Sequence, residues 1–206
     1  MKNIKWKILI ITSLVCVLPV LFGMSVWENL PDTIAIHFDI SGNPDNFASK
    51  EFAVFGITLI MLGFQWISCI ACDASRKYSD NGKYEMIAKW IIPVISIVLQ
   101  IVMIGYSIGW NIDVRKITAF LVGSIFIVTG SCMPGFDSVK HMKMDKEKAR
   151  KFNRFVGRAT VILGILFLVS AFLPSVAMVV CLLLMIPYAI ISVAYGIVIA
   201  RKEVEK

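Results

Sequence analysis

The residues with chemistry to offer are gathered between Leu30 and Lys50, in LPDTIAIHFDISGNPDNFASK. His37, Asp39 and Asp45 stand there together, an imidazole and two carboxylates, ligand types that suit a first-row metal. One histidine with spaced carboxylates is a thin metal pattern, so no metal and no other cofactor is expected. Two uses remain for these side chains. His37 can pair with Asp39 or with backbone to lock a tight loop, or the group can present a recognition surface to a partner outside the cell. Gly42, inside the turn-forming run Ser41 to Asp45, permits a sharp reversal, and Ser49 and Lys50 lead into the next apolar run. From Glu28 to Glu51 the segment carries Glu28, Asp32, Asp39, Asp45 and Glu51 against Lys50 alone, so it is acidic.

Other chemistries lack their residues. No nucleophile triad, HExxH, phosphate-binding glycine loop or pair of intramembrane carboxylates occurs. No charged residue or histidine falls in the middle of an apolar run, where proton-coupled transporters and ion channels usually need one. Neither an enzyme nor a pump is expected. Cys16, Cys69, Cys72, Cys132 and Cys181 all fall in apolar runs, so a disulfide framework is not expected. Cys69-Ile-Ala-Cys72 has CxxC spacing without a redox-fold context and reads as small apolar residues of a helix. Gln65 and Gln100 are the strongly polar residues inside apolar runs, and Gln100 suits an interhelical hydrogen bond.

The elements that must hold the acidic segment are membrane spans. Hydrophobic residues make up 58% of the 206-residue chain, charged residues 17%, and the mean hydropathy is +0.78. A soluble domain has about 25% charged residues. Charge-free runs cover residues 8–27, 52–72, 90–112 and 117–136. Each is near the roughly 20 residues that cross a hydrocarbon core. The run 159–200 is about twice as long and is broken at Pro174-Ser175, which predicts a hairpin between two spans. The fold class is therefore an all-α membrane protein of six transmembrane helices, with one structured acidic extracellular loop between helices 1 and 2.

Orientation follows the basic residues. With the N-terminus inside, 18 of the 21 Lys and Arg fall in cytoplasmic segments, leaving Lys50, Arg115 and Lys116 outside. Both termini are then cytoplasmic. The net charge of +7 lies beside the spans and points to anionic lipid rather than to direct nucleic-acid contact. Trp6 and Trp27 flank the first span as interfacial anchors, and its length favours a retained anchor over a cleaved signal peptide.

Local patterns refine this plan. Ile34 to Ile40 alternates apolar and polar residues, which predicts a short strand with Ile34, Ile36, Phe38 and Ile40 on its underside. Ser49 is placed to cap the second span. Pro93 is expected in the first turn of the third, and Gly105-Tyr-Ser-Ile-Gly109 has the GxxxG spacing of a close helix contact. Residues 149–159 space their apolar members as an amphipathic helix on the inner membrane surface, leading into span five. Lys148, Arg150, Lys151, Asn153, Arg154 and Arg158 are its candidate contacts with lipid or a cytoplasmic partner. Two domains result: a two-helix unit, 1–72, with the loop 28–51, and a four-helix region, 73–206, with a basic cytoplasmic loop, 134–158.

The loop also resembles the N-terminal domain of uncharacterised function in the SdpI-like family. The family pattern, LP-x-x-IP-x-HF-x-x-x-G-x-x-D-x-x-x-SK, is met at Leu30, Pro31, Ile34, His37, Phe38, Gly42, Asp45, Ser49 and Lys50, with Ala35 in place of the second proline. Farther on, Gly130-Ser-Cys-Met133-Pro134 and Asn153-Arg154-Phe-Val-Gly157-Arg158 are similar to two family elements, while the G-x-R-T-P run between them is absent. The resemblance implies a six-span bacterial plasma-membrane protein that confers immunity to a secreted toxic peptide, the sporulation-delaying protein in the prototype. It also implies, by analogy, a cytoplasmic transcriptional repressor as signalling partner. A transporter-associated subunit, or a membrane enzyme of unknown chemistry, is the alternative.

Overall fold

The computed structural model describes residues 4–75, 82–135 and 146–201. Among them, six helices are long and apolar enough to cross a membrane, as the charge-free runs predict. Helix α1 spans Trp6–Ser25 and is followed by a 3-10 turn at Trp27–Asn29. Strands β1 (Thr33–Phe38) and β2 (Pro44–Ser49) form an antiparallel hairpin. A π-helical turn at Phe52–Gly56 runs into α2, Ile57–Ser75. Then come α3 (Gly82–Ser107), α4 (Val114–Cys132), a 3-10 turn at Met133–Gly135, α5 (Lys146–Ser170) and α6 (Ser175–Arg201). The break at Pro174 is where expected.

Three expectations change. Pro93 lies well inside α3 rather than in its first turn, because the helix begins before its charged residues end. Charge-free length measures what a bilayer tolerates, not where hydrogen bonding starts. Gly109 makes no helix contact. It has φ +85°, and a methyl group on it would meet nothing within 4 Å. It ends α3 in a Schellman turn, with Trp110 N–H donating to Gly105 O at 2.9 Å and Gly109 N–H to Tyr106 O at 3.1 Å. The amphipathic segment is not separate from span five: Lys146 to Ser170 is one helix. Of the basic loop 134–158, residues 136–145 lie outside the described residues and the rest is helix or turn.

The chain packs as two compact units, dividing it differently from the boundary read at residue 72. The first holds α1, the hairpin, α2 and α3 from Ala88 on to Arg115; the second includes α4 from Lys116, α5 and α6.

In the first unit, irregular backbone and buried polar side chains answer one another. Pro93 has no N–H, so the carbonyl of Lys89, four residues earlier, has no helical donor. Gln65 Nε2 donates to it at 3.0 Å, and also to Thr12 Oγ1 at 2.7 Å. In the widened turn at Phe52–Gly56, Gln100 Nε2 donates to the carbonyls of Ala53 and Val54 at 3.1 and 3.3 Å, and the Val54 carbonyl also accepts Thr58 Oγ1 at 2.7 Å. Gln100 Nε2 also donates to Thr58 Oγ1 at 2.8 Å. In apolar surroundings an unmet carbonyl costs several kcal/mol, so each glutamine is placed by a backbone defect. At one end of this unit the Asp73 carboxylate takes Lys89 Nζ at 2.5 Å on one oxygen and the backbone N–H of Lys5, at the start of α1, at 3.1 Å on the other. Both side chains of the ion pair are 1% exposed. By sequence, Asp73 and Lys89 stand at the ends of a polar linker; the fold buries them.

The second unit is built on glycines. A methyl group on Gly123 would come within 2.8 Å of Gly164 O, and one on Gly130 within 2.7 Å of Gly157 O. The reverse contacts, Gly164 to Gly123 O and Gly157 to Gly130 O, would be 2.7 and 2.6 Å. Helices α4 and α5 therefore touch backbone to backbone at two levels, antiparallel. Thr160 Oγ1 and Tyr188 Oη, 2.7 Å apart, join α5 to α6.

Candidate recognition site

The hairpin stands on one apolar cluster. Leu30 and Ile34 are buried with Ala53, Val54, Met103 and Ile104, and Phe38 packs against the same cluster. Phe38 also meets Tyr106 edge-on, ring centroids 5.0 Å apart. The predicted apolar underside thus rests on span ends. The alternation is imperfect. The pairing runs Ile34↔Ala48 and Ala35↔Phe47, then skips to His37↔Asn46 and Phe38↔Pro44. Ala35 is buried beside Ile34, and Ile40, beyond the end of β1 in the turn, is exposed. Alternation marks β1 and the turn residues mark the reversal, but nothing in the sequence marks β2, because Pro44, Asp45 and Asn46 are poor strand formers.

The turn is locked by Asp39. One carboxylate oxygen accepts the N–H groups of Ser41 and Asn43 at 2.8 and 2.9 Å, and the other accepts Asn43 Nδ2 at 3.3 Å. Chiefly the Asn43 backbone N–H, with the side-chain amide of Asn43 and the N–H groups of Ser41 and Gly42, holds the Asp39 carboxyl below its ordinary range. Gly42 has φ +89°, where a side chain is strained, and a Cβ there would lie 3.4 Å from Arg115 N. His37 Nδ1 pairs with Asp45 Oδ1 across the bulge at 2.5 Å. The histidine's partner is therefore Asp45, not Asp39, whose oxygens serve the turn.

Ser49 and Lys50 do separate work at the other end of the hairpin. Ser49 Oγ accepts Phe52 N–H at 3.3 Å, the expected cap. Lys50 Nζ lies 3.4 Å from Asp32 Oδ1 and 5.4 Å from the centroid of the Trp27 ring. Of the six hairpin residues the structure brings together His37 with Asp45 and Asp39 with Gly42, while Ser49 and Lys50 each make a separate local contact. Among the described residues no three His, Cys, Asp or Glu side chains converge as a metal site would require.

The His37–Asp45 pair is open, with side chains 66% and 44% exposed, and Ile40 and Phe47 of the same hairpin are exposed as well. By sequence Phe47 is legible only as a residue near a turn. In the folded chain it pairs with the buried Ala35 and is itself 54% exposed. The hairpin thus exposes an aromatic and a histidine–carboxylate pair on a backbone held by Asp39 and by the core below.

On α5, Lys151, Arg154 and Arg158 are exposed on one face, at i, i+3 and i+7, whereas Asn153 is buried. Arg150 is exposed and Lys148 half-buried. The segments Gly130 to Pro134 and Asn153 to Arg158 meet: a methyl group on Gly157 would touch Gly130 O, Met133 Cβ at 3.1 Å and Pro134 Cδ at 3.2 Å.

A comparison with curated proteins found no match, and neither did one with solved structures. Residues 14–62, from the middle of α1 through the hairpin into α2, match the family model described as Domain of unknown function (DUF1648).

Proposed function

We propose that this protein sits in a bacterial plasma membrane and confers immunity to, or senses, a secreted antimicrobial peptide, in the manner of SdpI-like proteins. Both termini are cytoplasmic in this reading and the hairpin is outside. The observation that carries it is the hairpin itself: acidic overall, with an exposed His37–Asp45 pair and exposed Ile40 and Phe47, on a turn held by Asp39. A cationic amphipathic peptide finds both charge and apolar contact on such a surface, and the acidity from Glu28 to Glu51 steers its approach. A cytoplasmic repressor is the proposed relay partner.

Deleting the gene and challenging cells with the producer's own secreted peptides tests this. Sensitivity is expected to rise, and His37→Ala or Asp45→Ala variants to restore protection poorly while reaching the membrane at normal level by immunoblot. If both variants protect fully at normal level, the hairpin does not recognise the peptide.

The buried Asp73–Lys89 pair favours a second reading, a transporter-associated subunit, since ionisable groups inside a membrane mark transport pathways. The double change Asp73→Leu with Lys89→Met, which keeps similar bulk without the charges, separates the two. A structural pair leaves protection intact; a transport pair does not.

A further inference from the structure

Of the six α5 residues expected to meet lipid or a partner, the structure gathers three on one open groove. Lys151, Arg154 and Arg158 line it with Phe155 and Ile162 of α5 and Tyr195 of α6, around a space of about 500 Å³. Tyr195 is held in place from α5, its ring 4.8 Å from Phe155 and stacked on Phe152 at 6.1 Å. Lys148, Arg150 and Asn153 do not line the groove.

The groove has a polar end and an apolar end. Lys151 to Arg158 covers two turns of helix, and Ile162 lies roughly 6 Å farther along the same face, toward the apolar length of the span. Residues 147–158 carry five basic residues against Glu147. Glu147 pairs with Lys151 at 2.8 Å, but both side chains are exposed and such a pair contributes little. An anion in the groove would offset the repulsion among these cations.

We propose that the groove binds an anionic phospholipid of the surrounding bilayer. The phosphate sits against the Arg154 and Arg158 guanidinium groups, whose planar forks suit phosphate oxygens. The upper acyl chain runs over Phe155 and Ile162, with Tyr195 as the wall between head group and chain. A soluble phosphate would use the cations and leave the apolar half of the groove without a purpose.

The test uses the full chain purified in neutral detergent, with native mass spectrometry in an equimolar mixture of phosphatidylglycerol and phosphatidylcholine. Phosphatidylglycerol is expected to be retained in preference by roughly tenfold or more. Arg154→Gln with Arg158→Gln brings the ratio close to one. Lys148→Gln with Arg150→Gln removes the same charge from elsewhere on α5 and leaves the preference intact. Ile162→Trp, which fills the apolar end at an exposed position, weakens retention with every cation in place, so the result does not hang on one double variant. Equal retention of the two lipids overturns the proposal. So do equal losses in the two double variants, displacement by millimolar inorganic phosphate, or selective binding of an acidic peptide without lipid preference.

Discussion

In the first unit two departures from a regular helix, at Pro93 and at the π-helical turn, are met by glutamines of neighbouring helices, whereas in the second the helices approach until backbones touch. Gln65 answers Pro93, and Gln100 answers the π-helical turn. Gly123, Gly130, Gly157 and Gly164 instead remove side chains and let dispersion act between main chains. Lipid removes the hydrophobic drive between helices, so these are the two means left: hydrogen bonds where the backbone is irregular, and close fit where it is regular. The polar means suits the unit that carries the hairpin. The widened turn shapes the span end on which β1 rests, where Ala53 and Val54 pack with Ile34, and Gln100 holds that shape.

The sharpest way to break the contrast is Lys89→Met. It takes the cation away from the buried Asp73 carboxylate, and breaking a buried pair from one side costs about 3–5 kcal/mol. A large drop in the detergent unfolding temperature is expected, with much of it recovered by adding Asp73→Leu. If the single change is silent, the first unit is not held as described.

Gly157→Ala asks the same of the second unit. Its new methyl group meets Gly130 O at 2.6 Å, and overpacking of this kind costs about 1–3 kcal/mol. Gly63→Ala, where a methyl group meets nothing within 4 Å, is the control and should be neutral or slightly stabilising in the same melt.

Ser49→Ala removes the cap of the helix that leaves the hairpin, for about 1 kcal/mol. Hydrogen exchange should speed up at Phe52 and the adjoining turn before it does elsewhere. Uniform exchange across the unit would mean that the cap does not act locally.

The smallest effect concerns pH. The Asp39 carboxyl is held low in the folded turn, so its contribution is fully present above the ordinary carboxylate range and is lost as pH falls through the depressed folded value. Hairpin amide signals should therefore persist through mild acid and broaden only below that range. Asp39→Asn should weaken the turn at neutral pH and flatten the response; an unchanged pH profile in that variant would dissociate Asp39 from the turn.

Six apolar runs, the Pro174 break, the strand at Ile34, the turn at Gly42 and the Ser49 cap were all legible in the sequence. Each rests on a local rule: bilayer length, alternation, φ freedom, or one side chain reaching a nearby N–H. The match of residues 14–62 falls on that same legible stretch.

What the tertiary structure alone decided is who answers whom. His37 goes to Asp45 because a bulge shifts the register by which the two strands face each other. Asp73 and Lys89 look like linker charges until two helices fold their ends together and exclude water from both. Glycines seven apart, at 123 and 130 and again at 157 and 164, carry no helix-contact signal singly. They become a contact only when antiparallel helices bring the two pairs level. Local rules fix an element's type, and pairing across tens of residues depends on register and approach, which only the folded chain sets.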